Sequence, residues 1–180
     1  MTSGLCYTFG MKYLLLIAVL FSGCTPVATY PPVETDIALV FSDSASEPIP
    51  TIFAESLRYA HERFGGMDVV VFNLPETVGE KTYELVSNKL GGALPMESPE
   101  QVSFHIIELR KRPFRAEADI IFPSTSGNYE RATLYLTSSL IDPWKVTRDR
   151  VWLVPVLELP NPNYNGGLDS ELVGVDDSSQ

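Results

Sequence analysis

A histidine and two acidic residues occupy positions at which they could act together as a general base. His105 lies in one stretch of alternating polar and apolar residues, and Glu117 and Asp119 lie in the next. A hairpin centred on the charged turn at Lys111-Arg112-Pro113 would bring His105 opposite Asp119. The same register would set Ile107 opposite Glu117. A histidine held by a carboxylate can take a proton from water, so His105 with Asp119 or Glu117 is the candidate catalytic group of a hydrolase.

The same charges also fit a simpler arrangement, a ladder of opposite charges on the solvated face of a sheet. Arg131, Arg148 and Arg150 lie in the stretches that follow and would bring positive charge to this face. Cross-strand charge pairs of this kind contribute about 0.2–1 kcal/mol each and are ordinary on half-exposed sheets. We favour the ladder and keep the catalytic pair as the alternative.

The remaining motifs are incomplete. His61-Glu62 begins like a zinc-protease motif, but Gly65 stands where the second histidine is required. The sequence also lacks the glycine patterns of nucleotide-binding loops and of serine-hydrolase elbows, so we expect no metal ion and no cofactor. Trp152 either lines a pocket beneath helices or fills the core, and core packing is the usual role of an aromatic residue on a strand.

Two helices are predicted in the first half of the body. Apolar residues recur at helical spacing over residues 50–64, and Gly65 follows as a stop. A second helix is predicted over residues 77–90, with Thr77 as its N-cap and Glu80 reaching back in a capping box. Both segments place their apolar residues on one side, which predicts that each packs against a sheet.

Strands account for most of the remaining pattern. Short apolar runs at residues 37–41 and 68–73 predict two buried strands. From residue 101 to residue 154 the polarity alternates with a period of two, in four stretches separated by short turns. This pattern predicts a C-terminal four-stranded antiparallel meander. We therefore expect a single α+β domain in which two helices pack on a mainly antiparallel sheet.

The charge distribution argues against a nucleic-acid partner. The chain carries a net charge of −10, and residues 25–100 hold 12 acidic and 4 basic residues. Residues 101–155 are mildly basic, with 6 acidic and 8 basic residues, whereas residues 156–180 hold 5 acidic residues and no base. Binding of phosphate backbones requires a basic face, and an acidic body is also repelled by anionic lipid.

The N-terminal segment has the parts of a secretory signal. Met11-Lys12 precedes an apolar run at residues 14–21, which is shorter than the ~20 residues that span a bilayer. Phe21-Ser22-Gly23-Cys24 then resembles the bacterial lipobox, in which small residues precede an invariant cysteine. The resemblance implies cleavage before Cys24 and lipidation of Cys24 with diacylglycerol and a further acyl chain such as palmitate. The alternative is an ordinary secretory signal with a cysteine beside the cleavage site.

This interpretation divides the chain into four parts. Cys6 leaves with the signal, so the mature body has no free cysteine. The expected parts are a signal peptide at residues 1–23 with translation starting at Met1 or Met11, a lipidated Cys24 and proline-rich tether at 24–36, an α+β domain at 37–159, and a disordered acidic tail at 160–180.

The expected function follows from the anchor. We expect a non-enzymatic lipoprotein of the bacterial cell envelope, with its body facing the periplasm or the cell exterior. Its partners would be the lipid bilayer, through acylated Cys24, and an unidentified envelope protein. Two alternatives stay open, a small-molecule-binding module with a pocket between helices and sheet, and the hydrolase that uses His105.

Overall fold

The computed structural model describes residues 28–33, 43–65, 68–125, 127–154 and 156–164. Within these ranges the chain forms two helices and a seven-stranded, mainly antiparallel sheet, which confirms the predicted α+β class. The elements in chain order are β1 Ala28–Tyr30, α1 Ile49–Phe64, β2 Val71–Asn73, α2 Glu80–Lys89, β3 Leu94–Pro95, β4 Phe104–Lys111, β5 Arg115–Pro123, β6 Tyr129–Thr137 and β7 Lys145–Trp152.

The strands are arranged in the order β3-β2-β4-β5-β6-β7, and β1 pairs with β4 as well. Strands β4 to β7 are antiparallel to one another and form the predicted meander. Strand β2 is parallel to both of its neighbours, β3 and β4. Because β1 and β2 pair with opposite ends of β4, the long central strand is covered along much of that edge.

The core lies between α1 and one face of the sheet, which we call the helix face. Helix α1 contributes Ile52, Phe53 and Leu57, none of which is exposed to solvent. The helical spacing of these residues places them on a single side of the helix. At the end of α1, the ring of Phe64 stacks on Phe122 with 3.8 Å between ring centroids. The helix face carries alternate residues of the meander: Ala116, Ala118, Ile120, Phe122, Ala132, Leu134 and Leu136.

The first helix follows its prediction closely and the second only in part. Gly65 ends α1 with a φ of 71°, a left-handed conformation that glycine adopts without strain. Helix α2 begins at Glu80, and Gly79 precedes it without a side-chain capping bond. The prediction of Thr77 as N-cap is therefore wrong. The carbonyl of Pro75 accepts a hydrogen bond from the backbone N–H of Val78, which places Thr77 inside a turn.

A proline-rich tether is predicted over residues 24–36, but Ala28–Tyr30 within it form strand β1. The prediction of a tether is therefore wrong for these three residues. Ala28 pairs with Lys111, and Tyr30 pairs with Leu109. Tyr30 is 1 % exposed, and its ring meets that of Phe53 edge-on at 6.2 Å. Burial of this aromatic ring, together with pairing to β4, outweighs the tendency of the neighbouring prolines toward an extended solvated chain.

The C-terminal end of the described chain also contacts the body. Asn73 donates from Nδ2 to the carbonyl of Asn161 at 2.7 Å and accepts from the backbone N–H of Asn163 at 3.0 Å. The ring of Tyr164 lies 5.2 Å from that of Tyr83. The ordered body thus continues past residue 160, the predicted start of the tail.

Three predictions fall outside the described residues. They are the signal and Cys24, the strand at residues 37–41, and the tail at residues 165–180. The strand predicted at residues 68–73 is present as the shorter β2. Within the described chain, neither helix combines the length and apolar character needed to cross a membrane.

Candidate functional site

The candidate site is the outer face, which we define as the sheet face opposite the helices. Period-two alternation sends every second residue of β4 to β7 to this side. Most of these residues are charged or aromatic, in contrast to the apolar helix face. They include His105, Glu108, Arg110, Glu117, Asp119, Ile121, Arg131, Thr133, Tyr135, Arg148, Arg150 and Trp152.

Asp119 is the buried centre of the charged network, with only 4 % of the residue exposed. Its Oδ2 accepts a hydrogen bond from Arg131 Nη2 at 2.9 Å, and its Oδ1 accepts one from Thr133 Oγ1 at 2.5 Å. Thr133 Oγ1 accepts in turn from the indole Nε1 of Trp152 at 3.0 Å. The carboxylate is therefore held on both oxygens, as a buried charge requires.

Arg110 joins the acidic residues of neighbouring strands. It lies 2.9 Å from Glu108, 3.5 Å from Glu117 and 3.6 Å from Asp119, measured between guanidinium nitrogens and carboxylate oxygens. Burial acts to lower the pKa of Arg110, but the charges of Asp119, Glu108 and Glu117 outweigh it and raise that pKa. Glu117 also accepts from Arg112 at 2.7 Å. Opposite charges on the predicted face therefore form a network. Of the three arginines predicted for it, only Arg131 has a salt bridge to a carboxylate among the described residues.

His105 does not meet either predicted carboxylate. It pairs with Ile121, whereas Asp119 pairs with Glu108 and Glu117 pairs with Arg110. The predicted register is wrong because the hairpin turns later in the chain than expected. A bond from Arg112 N to Arg115 O closes the hairpin around Pro113 and Phe114. The register shift between Ile106 and Glu108 leaves Ile107 without a partner in β5 and takes back one residue of this offset, so His105 pairs two residues away from Asp119.

The His105 side chain is fully buried and bonds a serine instead. Its Nε2 lies 3.1 Å from Ser103 Oγ, and its ring meets that of Tyr129 edge-on at 5.8 Å. Burial lowers the pKa of His105 to about 4, so the ring is neutral at physiological pH. Nδ1 is buried and has no hydrogen-bond partner among the described residues. His105 is therefore a buried histidine of the outer face, without a carboxylate to orient it.

The basic residues of β7 make contacts of a different kind. The guanidinium of Arg148 lies 4.1 Å from the ring centroid of Tyr135, and that of Arg150 lies 4.1 Å from the ring centroid of Trp152. Both arginines are exposed, and no carboxylate in the described part of the chain forms a salt bridge with either. The β6–β7 side of the outer face is therefore a basic and aromatic surface within an acidic protein.

A cavity of about 360 Å³ opens at the end of this surface, where the chain leaves β7. Apolar side chains form most of its wall, and one basic and one acidic side chain reach it. The lining residues are Ile121, Arg131, Trp152, Val154, Val156 and Glu158. Trp152 thus lines a cavity, but that cavity lies on the outer face, whereas the prediction put the pocket between the helices and the sheet.

The other predicted candidate, His61, lies on α1 and packs its ring edge-on against Phe104 at 6.3 Å. Among the described residues, no three histidine, cysteine or acidic side chains are grouped as a metal site would require. Sequence reasoning missed Ser103 as the partner of His105 and Thr133 as a member of the network around Asp119. Period two alone could have identified both, because Ser103 lies two residues before His105 and Thr133 two residues after Arg131.

The chain matches no protein-family model, and no curated protein or solved structure is significantly similar to it. Its function therefore has to be argued from the chemistry of its own residues.

Proposed function

We propose that this chain is a lipoprotein of the bacterial cell envelope, held on a membrane through acylated Cys24, and that its body recognises a partner without catalysing a reaction. The observation that carries the proposal is the order of the N-terminal residues. An apolar run at residues 14–21 ends in Phe21-Ser22-Gly23-Cys24, the spacing at which a lipobox presents its cysteine. Two or more acyl chains on one residue anchor a protein stably.

The position of β1 supports an anchored body. Only residues 25–27 separate Cys24 from Ala28, the first residue of β1. Consecutive Cα atoms are about 3.8 Å apart, so the lipidated residue lies within about 15 Å of the sheet. A connection this short would hold the body next to the bilayer.

The outer face supports recognition rather than catalysis. Asp119 accepts hydrogen bonds from Arg131 and Thr133, which occupy both of its carboxylate oxygens and hold the side chain in place. His105 is buried beside Ser103, away from both acidic candidates. A general base must reach its substrate and be oriented by a partner, so this arrangement does not favour the hydrolase.

Intact-mass spectrometry of the protein extracted from membranes tests the anchor. We expect the wild-type chain to begin at Cys24 and to carry added acyl mass. The Cys24→Ala chain should lack this mass and remain uncleaved at that site. Cys6→Ala is the matched control, because Cys6 lies within the segment that is removed and its loss should change nothing. A wild-type chain that is unlipidated and cut elsewhere would overturn the proposal.

A small-molecule-binding function is the second candidate, and the cavity beside Trp152 favours it. Its volume of about 360 Å³ falls within the range of ligand pockets, which are mostly apolar with a few polar groups. Arg131 supplies a cation and Glu158 a carboxylate at a wall that is otherwise apolar. This combination suits a compact apolar ligand whose anionic group meets Arg131.

Anilinonaphthalene sulfonate, an aromatic anion whose fluorescence rises in apolar surroundings, tests this candidate on a chain that begins at Thr25. We expect binding to weaken with Arg131→Gln and to persist with Arg148→Gln. Both changes remove one arginine from the outer face, but only Arg131 lines the cavity. Equal binding by the two variants would contradict a site in this cavity.

A further inference from the structure

One end of the sheet projects apolar side chains into solvent. Leu140 and Ile141, in the loop between β6 and β7, are each 92 % exposed, and Phe114, in the turn between β4 and β5, is 51 % exposed. The two turns are adjacent because the backbone N–H of Ser138 donates to the carbonyl of Phe114 at 3.0 Å. We call Phe114, Leu140 and Ile141 the apolar apex. Exposed apolar side chains grouped in this way mark an interaction surface.

The loop that carries the apex is held by its own hydrogen bonds. Ser139 Oγ donates to Asp142 Oδ2 at 2.9 Å and accepts from the backbone N–H of Asp142, also at 2.9 Å. The backbone N–H of Ser139 donates to the carbonyl of Asp142 at 3.1 Å, which closes the turn. Leu140 and Ile141 therefore stand at the tip of a fixed turn and point away from the core.

Two exposed basic residues flank the apex, although the whole chain is acidic and the apex loop itself contains the exposed Asp142. Arg115 begins β5 and Lys145 begins β7, and both are exposed. Neither forms a salt bridge within the described residues. The opposite end of the sheet has the reverse character, since its acidic residues include Glu97, Glu100, Glu130 and Glu158. The two ends of the molecule would thus respond oppositely to an anionic surface.

The register of β1 places the N-terminal connection at the same end as the apex. Ala28 pairs with Lys111, the last residue of β4, immediately before the turn that contains Phe114. Because β1 runs antiparallel to β4, the chain before Ala28 leaves the sheet at this end. The three residues between Cys24 and Ala28 keep the lipidated position within about 15 Å of Ala28.

We propose that this end of the sheet is a membrane-docking surface, in which the apolar apex enters the interface of an anionic bilayer and Arg115 and Lys145 contact lipid phosphates. The proposal rests on the anchoring proposed above, because acylation of Cys24 would deliver the apex to the bilayer. Shallow insertion of apolar side chains beside a basic rim is the way in which peripheral proteins bind anionic membranes. The body is then oriented, with the cavity at the end of the sheet away from the membrane.

Leu157 is the matched control for the apex. It is 95 % exposed and lines a second, open surface pocket beside Trp152, at the acidic end of the sheet. Leu153, at 99 % exposure, lies at that end as well. Exposure alone therefore does not distinguish the two ends, whereas charge and distance from Cys24 do.

The test uses the acylated full chain reconstituted into vesicles of phosphatidylcholine and phosphatidylglycerol that contain a spin-labelled lipid. Leu140→Cys and Leu157→Cys each introduce one thiol at an exposed leucine, and both are labelled with nitrobenzoxadiazole. Cys24 does not react when its sulfur carries lipid. We expect the label at position 140 to emit at shorter wavelength and to be quenched by the spin label. The label at position 157 should emit as it does in water.

Intact mass of the same samples separates the two proposals. An acylated chain in which both labels are quenched alike, or neither is quenched, would overturn the docking surface and leave the anchor standing. A full chain without acyl mass would overturn the anchor. In that case the two labels are compared on a chain that begins at Thr25 and so lacks both Cys6 and Cys24. Quenching of the label at position 140 alone when vesicles are added would then support the docking surface, and equal behaviour of the two labels would overturn it.

Discussion

The two faces of the sheet are built from the same four strands, yet different forces hold them. On the helix face, Ala118, Ile120 and Leu134 are completely buried against apolar neighbours. On the outer face, most of the residues that alternate with them are charged, polar or aromatic, and Asp119 is the centre of the charged network. Burial of apolar surface contributes in proportion to its area, whereas ion pairs lose most of their attraction to desolvation and to screening by water.

This difference separates stability from recognition within one domain. The helix face should determine whether the chain folds, because its side chains leave water entirely on folding. The outer face should contribute less to folding and remain accessible to partners, since Arg148 and Arg150 stay exposed. Four experiments test that division. They are given in order of the expected change in free energy, from the largest to the smallest.

The largest effect is expected on the helix face from Phe53→Ala. Phe53 is completely buried, and its ring contacts Tyr30. Removal of the ring leaves a cavity, which should lower the free energy of unfolding by about 4 kcal/mol. Urea unfolding followed by circular dichroism measures the change. Leu140→Ala is the control, because Leu140 is exposed and its truncation should cost less than about 0.5 kcal/mol. Similar losses in both variants would show that the helix face does not dominate stability.

A smaller loss is expected on the outer face from Asp119→Ala. The substitution leaves Arg131 and Thr133 without their acceptor and removes a charge that faces Arg110. We expect a loss of about 2–3 kcal/mol, below the full cost of a broken buried pair because Arg131 is partly exposed. Asp119→Asn, which retains an acceptor oxygen, should recover part of the loss in the same urea unfolding. No measurable loss with Asp119→Ala would mean that the network contributes nothing to folding.

His105 is an exception to the division between a buried helix face and an accessible outer face, because it belongs to the outer face and is nevertheless buried. Burial lowers its pKa from the ordinary 6.5 to about 4. Between these values the unfolded chain binds more protons than the folded chain, so the free energy of unfolding must fall as pH decreases from 6.5 to 4. A single titrating group changes the free energy of unfolding by at most about 1.4 kcal/mol per pH unit. We therefore expect His105 to lower the free energy of unfolding by roughly 2 kcal/mol between pH 6.5 and pH 4.

Urea unfolding at several pH values isolates this contribution. His105→Gln should flatten the dependence on pH between 6.5 and 4 relative to the wild-type chain. If the variant and the wild type show the same slope, then His105 does not titrate as its burial requires.

The sequence predicts which residues share a face far better than which residues touch. The alternation in β5 and β6 assigns Asp119 and Arg131 to one side correctly, because a period of two is a local property of the strand. The partner of His105 depends instead on where the hairpin turns and on the irregularity at Ile107. A shift of two residues keeps each side chain on its face but exchanges its neighbour.

The cavity and strand β1 were beyond prediction for a similar reason. Trp152 and Val156 line the same cavity, and no periodic pattern in the sequence after β7 predicts that the chain continues along it. Tyr30 lies between prolines in a segment whose composition indicates a tether, and its burial depends on contact with Phe53 on α1. Tertiary contacts of this kind are invisible to any local pattern.

The smallest effect concerns the contact between Arg148 and Tyr135 on the outer face. Their separation of 4.1 Å is suited to a cation–π interaction, but Arg148 is exposed and water competes for its charge. A double-mutant cycle with Arg148→Gln and Tyr135→Leu should therefore give a coupling energy of only about 0.5 kcal/mol. A coupling above about 2 kcal/mol would exceed what an exposed pair can supply. It would mean that contacts on the outer face contribute to the free energy of unfolding much as those on the helix face do. Its arginines would then serve stability and would not be available to bind a partner.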